Sequence, residues 1–423
     1  MFRIYERGSA AYDDALAALS VRGEADLDSV AEVVRDILFA VKARGDAALR
    51  EYATKFESRT LVDVVLPEST YRARAKEVSA PVRRMLEEAA DRIRRYHEHQ
   101  RDEGFRYEAD GIELGMRVQP VRAAGVYAPG GKARYPSSVL MAAVPASVAG
   151  VKRIVLATPS PTPEVLAAAE IAGVTEVVDV GGAQAIAALA FGTESVRRVD
   201  KIVGPGNLYV ACAKRLVFGV VDIDGIAGPS EILVVADDQA DPKIVAADLL
   251  SQAEHDEDAY ALLVTLSRAQ ADAVAREVEA QLAVLPRRAV AEPSVKRRAA
   301  CFVAGDLNEA TRVADLLAPE HLSLQVRDPD AALSRIHAAG AAFLGDHTPE
   351  AAGDYAAGPS HVLPTGGAAR FGSPLGVYNF VTRTSIIRYS DKAIRDQAAL
   401  LEGLAELEGL SGHARAVASR RTS

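Results

Sequence analysis

The chain has 423 residues, of which 49% are hydrophobic, so it is long and apolar enough for more than one buried core. It has 58 acidic and 49 basic residues and a formal net charge of −9, which disfavours a general nucleic-acid binder because phosphate neutralisation requires a basic surface. Two cysteines cannot form a disulfide framework, and neither a signal peptide nor a membrane span is recognisable, so we expect a cytoplasmic protein without nucleic-acid or membrane partners.

The N-terminal quarter of the chain is predicted to be mainly helical. We assign residues 1–25 to an N-terminal extension and residues 26–120 to a helical segment. Apolar residues recur there at spacings of three and four from Leu27 to about Tyr107, with TLVDVVLP as the only strand-like interruption. We expect this segment to pack with the second of the two sheet domains described next.

From Val121 onward, short apolar runs ending in glycine alternate with helical segments. The runs include GVYAPGG, RIVLATP, EVVDVGG and KIVGPG. A second series follows Gly228, with EILVVAD, AYALLVTLS, AACFVAGD and HLSLQV. Repeated alternation of strand and helix predicts a parallel sheet covered on both faces. The fold class is therefore α/β, with two tandem Rossmann-like, doubly wound parallel-sheet domains at residues 121–229 and 230–375 and helical N-terminal and C-terminal extensions.

The C-terminal part begins with a long Gly/Pro/Ser-rich segment after Leu344, GDHTPEAAGDYAAGPSHVLPTGGAARFGSPLG. Loops of this length in compact proteins are commonly functional or disordered, and the aromatic and histidine residues here favour a functional loop. Residues 376–423 form a predicted helical tail. The tail is not hydrophobic enough to form a core alone, so we expect it to dock on another surface or another subunit.

Candidate nucleotide-binding residues follow the strands of the first domain. Ligands of open parallel sheets sit beyond the carboxyl ends of the strands. The residues at these positions are Tyr127, Gly130, Gly131, Gly181, Gly182, Gln184, Gly204, Pro205, Gly206 and Asn207. Glycines let the backbone approach a phosphate, but none of these forms a GxGxxG motif. A dinucleotide site and ordinary tight turns are both open at this point.

The stretch DLLSQAEH indicates a metal site. Gln252 and His255 stand three apart, so both side chains lie on one face if the helix continues through them. Nitrogen and oxygen donors without thiolate are available from Gln252, His255, Asp354 and His413. Such a mixed set suits Zn²⁺ or Mn²⁺ with positions left for substrate, although a hydrogen-bonded structural role is the commoner state of any single histidine.

The adjacent pair Glu320 and His321, in APEHLSL, is a candidate for acid–base chemistry. Neighbouring side chains on an extended segment point to opposite sides, so both can face one pocket only where the backbone turns. A neutral histidine beside a carboxylate is a suitable general base near neutral pH. The alternative is that Glu320 is solvated at the start of a strand, and the spacing alone leaves both interpretations open.

Taken together, several long strings resemble histidinol dehydrogenases, in order and with family-like spacing. They are GVYAPGGKARYPSSVLM, VGGAQAIAALAFGTE, VDKIVGPGN, AGPSEILVVAD, DLLSQAEH, PEHL, GDYAAGPSHVLPT and GHARAV. The resemblance runs from about Asp26 to Val417. It implies oxidation of L-histidinol through L-histidinaldehyde to L-histidine, a four-electron reaction at the end of histidine biosynthesis that reduces two NAD⁺.

The resemblance also implies roles for particular residues. One Zn²⁺ per subunit would be held by Gln252, His255, Asp354 and His413. Contacts with NAD⁺ would come from Tyr127, Gln184 and Asn207. The substrate would be surrounded by Ser230, Gln252, His255, Glu320, His321, Asp354, Glu408 and His413. In a homodimer, His413 and Glu408 would reach the site from the partner subunit, and Glu320 and His321 would be the catalytic bases.

One departure from the family pattern and three rival functions accompany the resemblance. Ser360 stands where asparagine is expected before His361. A related zinc and NAD dehydrogenase of another polar alcohol, such as a sulfonated diol, is the nearest alternative, and Glu408 near His413 argues against it. A zinc hydrolase using Glu320 would show no NAD dependence. A non-catalytic binding module is disfavoured because the candidate ligands and base are intact.

Overall fold

The computed structural model describes residues 2–22, 27–130 and 135–421. It divides into two compact units. The first comprises Met1–Gln100 and Arg122–Phe380, and the second comprises Arg101–Val121 and Val381–Ser423. In the part of the chain that is described, no helix is long and apolar enough to cross a bilayer.

The first 120 residues supply eight elements. They are β1 (Arg3–Glu6), α1 (Ala10–Ser20), α2 (Asp28–Arg44), α3 (Asp46–Glu57), α4 (Glu68–Ala75), α5 (Ala80–Glu98), β2 (Phe105–Ala109) and β3 (Ile112–Pro120). The structure therefore confirms the predicted helical pattern up to residue 98, whereas residues 105–109 and 112–120 form strands. The run TLVDVVLP contributes only one antiparallel bridge, between Val65 and Val178.

The first Rossmann-like domain has a wholly parallel five-stranded sheet. Its elements are β4 (Ala123–Tyr127), α6 (Pro136–Val148), β5 (Arg153–Ala157), α7 (Pro163–Ala172), β6 (Glu176–Val178), α8 (Gly182–Phe191), β7 (Lys201–Val203), α9 (Leu208–Val217) and β8 (Asp222–Ile223). The strand order is β6-β5-β4-β7-β8. Numbered along the domain this is 3-2-1-4-5, a doubly wound sheet as predicted.

The helical segment packs on this first domain, so the expectation that it packs with the second domain is wrong. Val34, Leu38 and Leu49 share one buried core with Ile186 of α8 and Val210 of α9. The reason lies in α8, where every residue from 183 to 190 is buried. A helix that is apolar on all sides needs a second covering layer, and α2 and α3 provide it. Helices α4 and α5 likewise cover α6 and α7.

The second Rossmann-like domain repeats the same strand order. Its elements are β9 (Glu231–Ala236), α10 (Pro242–Ala253), β10 (Tyr260–Thr265), α11 (Arg268–Val284), α12 (Arg288–Arg297), β11 (Ala300–Val303), α13 (Leu307–Leu317), β12 (His321–Gln325), α14 (Pro329–Leu333), β13 (Ala341–Leu344) and α15 (Glu350–Tyr355). All strands are parallel, in the order β1-β11-β10-β9-β12-β13. The N-terminal extension thus adds an edge strand, which sequence patterning did not reveal.

The second unit is a separate three-stranded antiparallel sheet with two helices. Strand β14 (Val381–Tyr389) pairs with β3, which pairs with β2. Helices α16 (Asp391–Leu407) and α17 (Ser411–Arg421) follow. The tail is therefore helical only from residue 391, because nine residues before it pair along the whole of β3. On α16, Leu400, Leu404 and Leu407 are exposed.

A buried ion pair fixes the loop that follows β7. Lys214 on α9 pairs with Asp224, and their side chains are 3% and 7% exposed. Lys214 Nζ also donates to the carbonyl of Gly204 at 2.9 Å, and Asp224 Oδ2 accepts from the Gly204 amide at 2.8 Å. Gly204 has φ +113°, and a Cβ there would lie 2.1 Å from the Tyr127 carbonyl oxygen. Only glycine fits this turn at the carboxyl edge of the sheet.

We expect Lys214→Met to lower the free energy of unfolding by about 3–5 kcal/mol, because it leaves the buried Asp224 carboxylate without its cation. Denaturant unfolding of the two proteins measures the difference. Arg215→Met, on the same helix, is the control, since Arg215 and its partner Asp28 are 37% and 89% exposed and such pairs contribute less than about 1 kcal/mol. Equal losses in the two variants would contradict the role given to the Lys214 pair.

Candidate active site and metal centre

A cluster of buried polar side chains lies at the amino ends of β9 and β12, which are neighbours in the second sheet. Ser230 directly precedes β9, and His321 is the first residue of β12. Helix α10 runs back against the strands, so its last turn brings Gln252 to the same edge. The described candidates of the first domain therefore follow strands, whereas the residues of this cluster lie at the amino ends of theirs.

Glu320 and His321 face the same buried space. Ala318, which caps α13, has φ +42°, and this turn sets the direction of the segment that follows. Glu320 Oε2 accepts from the backbone amide of Glu231 at 2.8 Å, and it lies 3.7 Å from His321 Nδ1. Both side chains are buried. The alternative of a solvated Glu320 is thus excluded.

The surroundings of His321 determine which of its nitrogens carries the proton. Nδ1 lies 3.0 Å from the backbone carbonyl of Glu231, which can only accept, so Nδ1–H donates there. Nε2 is then the basic nitrogen. It is buried and has no hydrogen-bond partner among the described residues, and it lies 3.7 Å from Glu350 Oε1 and 3.9 Å from Asp354 Oδ1. His321 therefore presents a free lone pair towards these carboxylates.

Glu231 organises this corner of the site, and sequence analysis missed it. Its carboxylate forms a two-pronged ion pair with Arg22, at 2.6 and 2.7 Å, and both side chains are 1% exposed. The same carboxylate accepts from the backbone amides of Glu320 at 3.2 Å and Gly366 at 3.0 Å. With its backbone bonds to Glu320 and His321, Glu231 holds both candidate bases in place.

Three ligand-type side chains converge in front of His321. One ligand atom each from His255, Glu350 and Asp354 lie within 4.8 Å of one another. His255 Nε2 is 3.9 Å from Asp354 Oδ2. His255 does not belong to the helix: α10 ends at Ala253, and the His255 amide donates to the Gln252 carbonyl at 3.1 Å in the turn that follows. The two residues still meet because that turn keeps His255 beside the last turn of α10.

Gln252 is fully buried beside this cluster, in contact with Glu350. With the amide nitrogen directed at Glu350, it donates to Oε1 at 2.7 Å. Glu350 was not a candidate in the sequence analysis. A usable signal was present, because Glu350 and Asp354 are four residues apart in PEAAGD and lie on one face of α15.

Burial shifts the titration of the site towards neutral forms. It raises the pKa of Glu320 to about 8, with His321 opposing the shift, and raises the pKa of Glu350 well above its usual value, with Asp354 adding to the shift. Burial also lowers the pKa of His255, although Asp354 opposes this. A bound dication would favour ionised carboxylates and neutral imidazoles, which are the forms that ligate metals.

The Gly/Pro/Ser-rich segment closes the site from one side. His361 Nδ1 lies 3.0 Å from the backbone carbonyl of Asp354 and so positions the residue that carries a candidate ligand. Ser360, where the family pattern has asparagine, is buried and donates from Oγ to the Met141 carbonyl at 3.0 Å. Met141 belongs to α6, so this loop joins the two Rossmann-like domains.

The candidate nucleotide residues lie at the carboxyl ends of β4, β6 and β7. Tyr127 ends β4, and its hydroxyl accepts from the Gly182 amide at 3.0 Å. Gln184 is buried in the first turn of α8. Asn207 caps α9, with Oδ1 accepting from the Val210 amide at 3.1 Å. Gly130 precedes the undescribed residues 131–134, so Gly131 lies outside the described part of the chain.

The two C-terminal candidates belong to the second unit. Glu408 caps the end of α16, and His413 lies in the first turn of α17. Both are exposed and line one groove between these helices, together with Leu404 and Leu410. The bend between the helices therefore places the carboxylate and the imidazole on the same surface.

Comparison with known proteins gives a consistent result. The family model described as histidinol dehydrogenase matches residues 20–421. The chain is 53% identical over 403 residues to a histidinol dehydrogenase of Pseudomonas syringae pv. syringae (strain B728a), covering 93% of this chain and 90% of that protein. It is 49% identical over 411 residues to a histidinol dehydrogenase of Aquifex aeolicus (strain VF5), with coverages of 97% and 96%.

A solved structure agrees. The crystal structure of histidinol dehydrogenase from Elizabethkingia anophelis superposes with a TM-score of 0.93 at 34% sequence identity. The match covers 99% of this chain and 98% of that one.

Proposed function

The chain belongs to the histidinol dehydrogenase family, and from that premise we propose that it oxidises L-histidinol with NAD⁺ at a zinc site completed by a second subunit. Family membership makes it an oxidoreductase of histidine biosynthesis. Nothing in the structure or in the comparisons favours the alternative substrate, a sulfonated diol. The observation that carries the mechanism is the unpartnered, buried Nε2 of His321 beside the cluster of His255, Glu350 and Asp354.

The donor set suits one zinc ion per subunit. In this proposal the ligands are Gln252, His255 and Asp354 of one subunit and the partner's His413. Imidazole nitrogens with amide and carboxylate oxygens are donors that zinc accepts, and no thiolate is needed. Zinc, when bound, supplies a template that orients the imidazole and amino nitrogens of histidinol. Ser230 and the partner's Glu408 would add hydrogen-bond and charge contacts to the substrate.

NAD⁺ would lie at the carboxyl edge of the first sheet, where ligands of doubly wound sheets bind. Tyr127, Gln184 and Asn207 would contact it there. The cofactor supplies the acceptor for the hydride that leaves the substrate carbon. The rigid turn at Gly204, held by Lys214 and Asp224, keeps the start of α9 in position for this contact.

His321 serves the alcohol step. Its Nε2 takes the hydroxyl proton while the carbon–hydrogen bond breaks and the hydride departs, which leaves an aldehyde. The bond from Nδ1–H to the Glu231 carbonyl fixes the neutral tautomer that can do this and stabilises the imidazolium once the proton has arrived.

Glu320 serves the aldehyde step. It would remove a proton from water so that the oxygen adds to the aldehyde carbon and a hydrate forms. A second hydride then leaves the hydrate while His321 takes one of its hydroxyl protons, and the resulting carboxylic acid ionises to the carboxylate of histidine. Burial keeps its pKa at about 8, far closer to working pH than that of an ordinary glutamate. Two separate bases are needed because the two oxidations deprotonate different oxygen atoms.

The exposed C-terminal tail supports a shared site. Leu404, Leu407 and Leu410 are exposed and form an apolar stripe on and after α16. A second copy of the tail or of its acceptor surface would cover the stripe, and Glu408 and His413 would be carried with it. Isologous pairing of two chains then completes two equivalent sites.

Purified protein should form two NADH for each L-histidine made from L-histidinol, and prolonged chelation should abolish this activity. Loss of the ion removes the template and leaves the substrate unoriented. Absorbance of NADH with product quantification measures both effects, and addition of Zn²⁺ should restore the rate, whereas Mg²⁺ serves as the control. Full activity after zinc has been removed to below one-tenth occupancy would contradict the proposal.

Glu320→Gln should slow the oxidation of L-histidinaldehyde by about 10²–10⁴-fold and the alcohol step much less, whereas His321→Asn should slow both steps. Separate single-turnover assays with histidinol and with histidinaldehyde distinguish the two. Glu279→Gln, an exposed carboxylate on α11, is the matched control and should behave as wild type. The separate roles proposed for His321 and Glu320 are wrong if Glu320→Gln slows the alcohol step and the aldehyde step equally.

Two inactive variants, Asp354→Ala and His413→Ala, should regain activity when they are dissociated, mixed and reassociated. Half of the dimers would be mixed and each would contain one complete site, so about a quarter of wild-type activity is expected. Mixing Asp354→Ala with His255→Ala is the control and should give nothing, since both ligands come from the same subunit. Failure of the first mixture to exceed the second would exclude donation in trans.

A further inference from the structure

An amide side chain can ligate a metal through its oxygen and not through its nitrogen, so the orientation of Gln252 matters. Its amide is fully buried, and nothing in solvent can select the orientation. One end of the amide lies 2.7 Å from Glu350 Oε1 and 3.3 Å from Oε2. If that end were the oxygen, it would face lone pairs only, because a bound dication favours the ionised form of the Glu350 carboxylate. With the nitrogen there, a charge-assisted hydrogen bond forms.

The neighbouring imidazole of His321 does not favour the opposite orientation of the Gln252 amide. The end of the amide that faces Glu350 also lies 3.3 Å from His321 Nδ1. The Nδ1 proton is already directed at the Glu231 carbonyl, at 3.0 Å. Nδ1 therefore offers nothing that would hold an amide oxygen in this position. The carboxylate of Glu350 is the group that decides the orientation.

Glu350 is itself firmly held. Its side chain is 1% exposed, and Oε2 accepts from Ser251 Oγ at 3.1 Å. Ser251 precedes Gln252 on α10. The Glu350 carboxylate is therefore hydrogen-bonded to the same helix turn that carries Gln252. Asp354 follows one turn later on α15. Helix α15 thus carries the candidate ligand Asp354, and it also carries the Glu350 carboxylate, which contacts the candidate ligand Gln252.

We propose that Glu350 is a positioning residue that holds the Gln252 amide nitrogen and thereby directs the amide oxygen to the zinc. The inference rests on the proposed zinc site and adds to it a residue outside the four ligands. Groups that orient metal ligands commonly change metal affinity by about 10- to 100-fold when they are removed.

A rival role for Glu350 is direct ligation, because one of its oxygens belongs to the three-residue cluster. Both of its oxygens already accept hydrogen bonds, from Gln252 and from Ser251. A double-mutant cycle separates the two roles. If Glu350 acts through Gln252, its removal has no further effect once Gln252 is gone. If Glu350 is a ligand, the two losses add.

The test measures Zn²⁺ affinity of the intact protein by competition with a chelating dye. We expect Glu350→Ala to weaken binding by about 10- to 100-fold, and Glu350→Gln, which keeps an acceptor oxygen, to recover most of that loss. Gln252→Ala and the double variant Gln252→Ala with Glu350→Ala should bind equally. Glu279→Gln is the control for a carboxylate-to-amide change. Thermal unfolding of each metal-free variant establishes that it is folded.

The outcomes are distinct. Wild-type affinity in Glu350→Ala, or additive losses in the double variant, overturns the positioning role while leaving the zinc site intact. A wild-type protein that binds no zinc overturns the proposed function and this inference together. A Co²⁺ absorption spectrum that changes in Glu350→Ala and returns towards wild type in Glu350→Gln supports the inference independently of activity.

Discussion

The buried ion pair between Glu231 and Arg22 is the interaction on which the rest of the candidate active site depends. Two unit charges, those of Glu231 and Arg22, are removed from water together, and such a pair is tolerated only with close geometry and further hydrogen bonds. Glu231 has both: it accepts from two backbone amides, and its own peptide groups bond Glu320 and His321. One residue at the start of a strand therefore fixes the candidate acid–base carboxylate of Glu320, the tautomer of the His321 imidazole and the loop at Gly366.

The burial that holds these side chains in place also disfavours their charged forms. Glu320 and Glu350 have raised pKa values and His255 a lowered one, all because protein surrounds them where water would solvate their charge. A dication reverses the balance for the carboxylates and leaves the imidazoles neutral. The convergence of several such groups is typical of functional sites, since a purely structural core would use apolar residues at lower cost.

The candidate functional residues lie at opposite edges of the two sheets. Apart from the added edge strand β1, both have the order 3-2-1-4-5, so the duplicated pattern in the sequence reflects a duplicated topology. The candidate cofactor residues lie beyond carboxyl ends in the first domain, whereas the candidate catalytic residues lie at amino ends in the second. A helix that returns along its sheet brings its C-terminal turn to the amino edge, which is why Gln252 meets His321. The contact from Ser360 to Met141 joins the domains near that edge.

The sequence by itself determined the alternating strands and helices, the two doubly wound domains and the family, because periodicity and motif strings are local properties of the chain. It also supplied Gln252, His255, Asp354, Glu320 and His321, since their residue types sit in recognisable strings. It did not reveal β1, the strands at residues 105–120 or the layer that α2 and α3 add to the first domain, because each depends on which distant surface is left uncovered. Only the tertiary structure identified Arg22, Glu231 and Glu350 as residues that hold the candidate site together. Each of these charged groups is buried, and its partners lie far away in the chain.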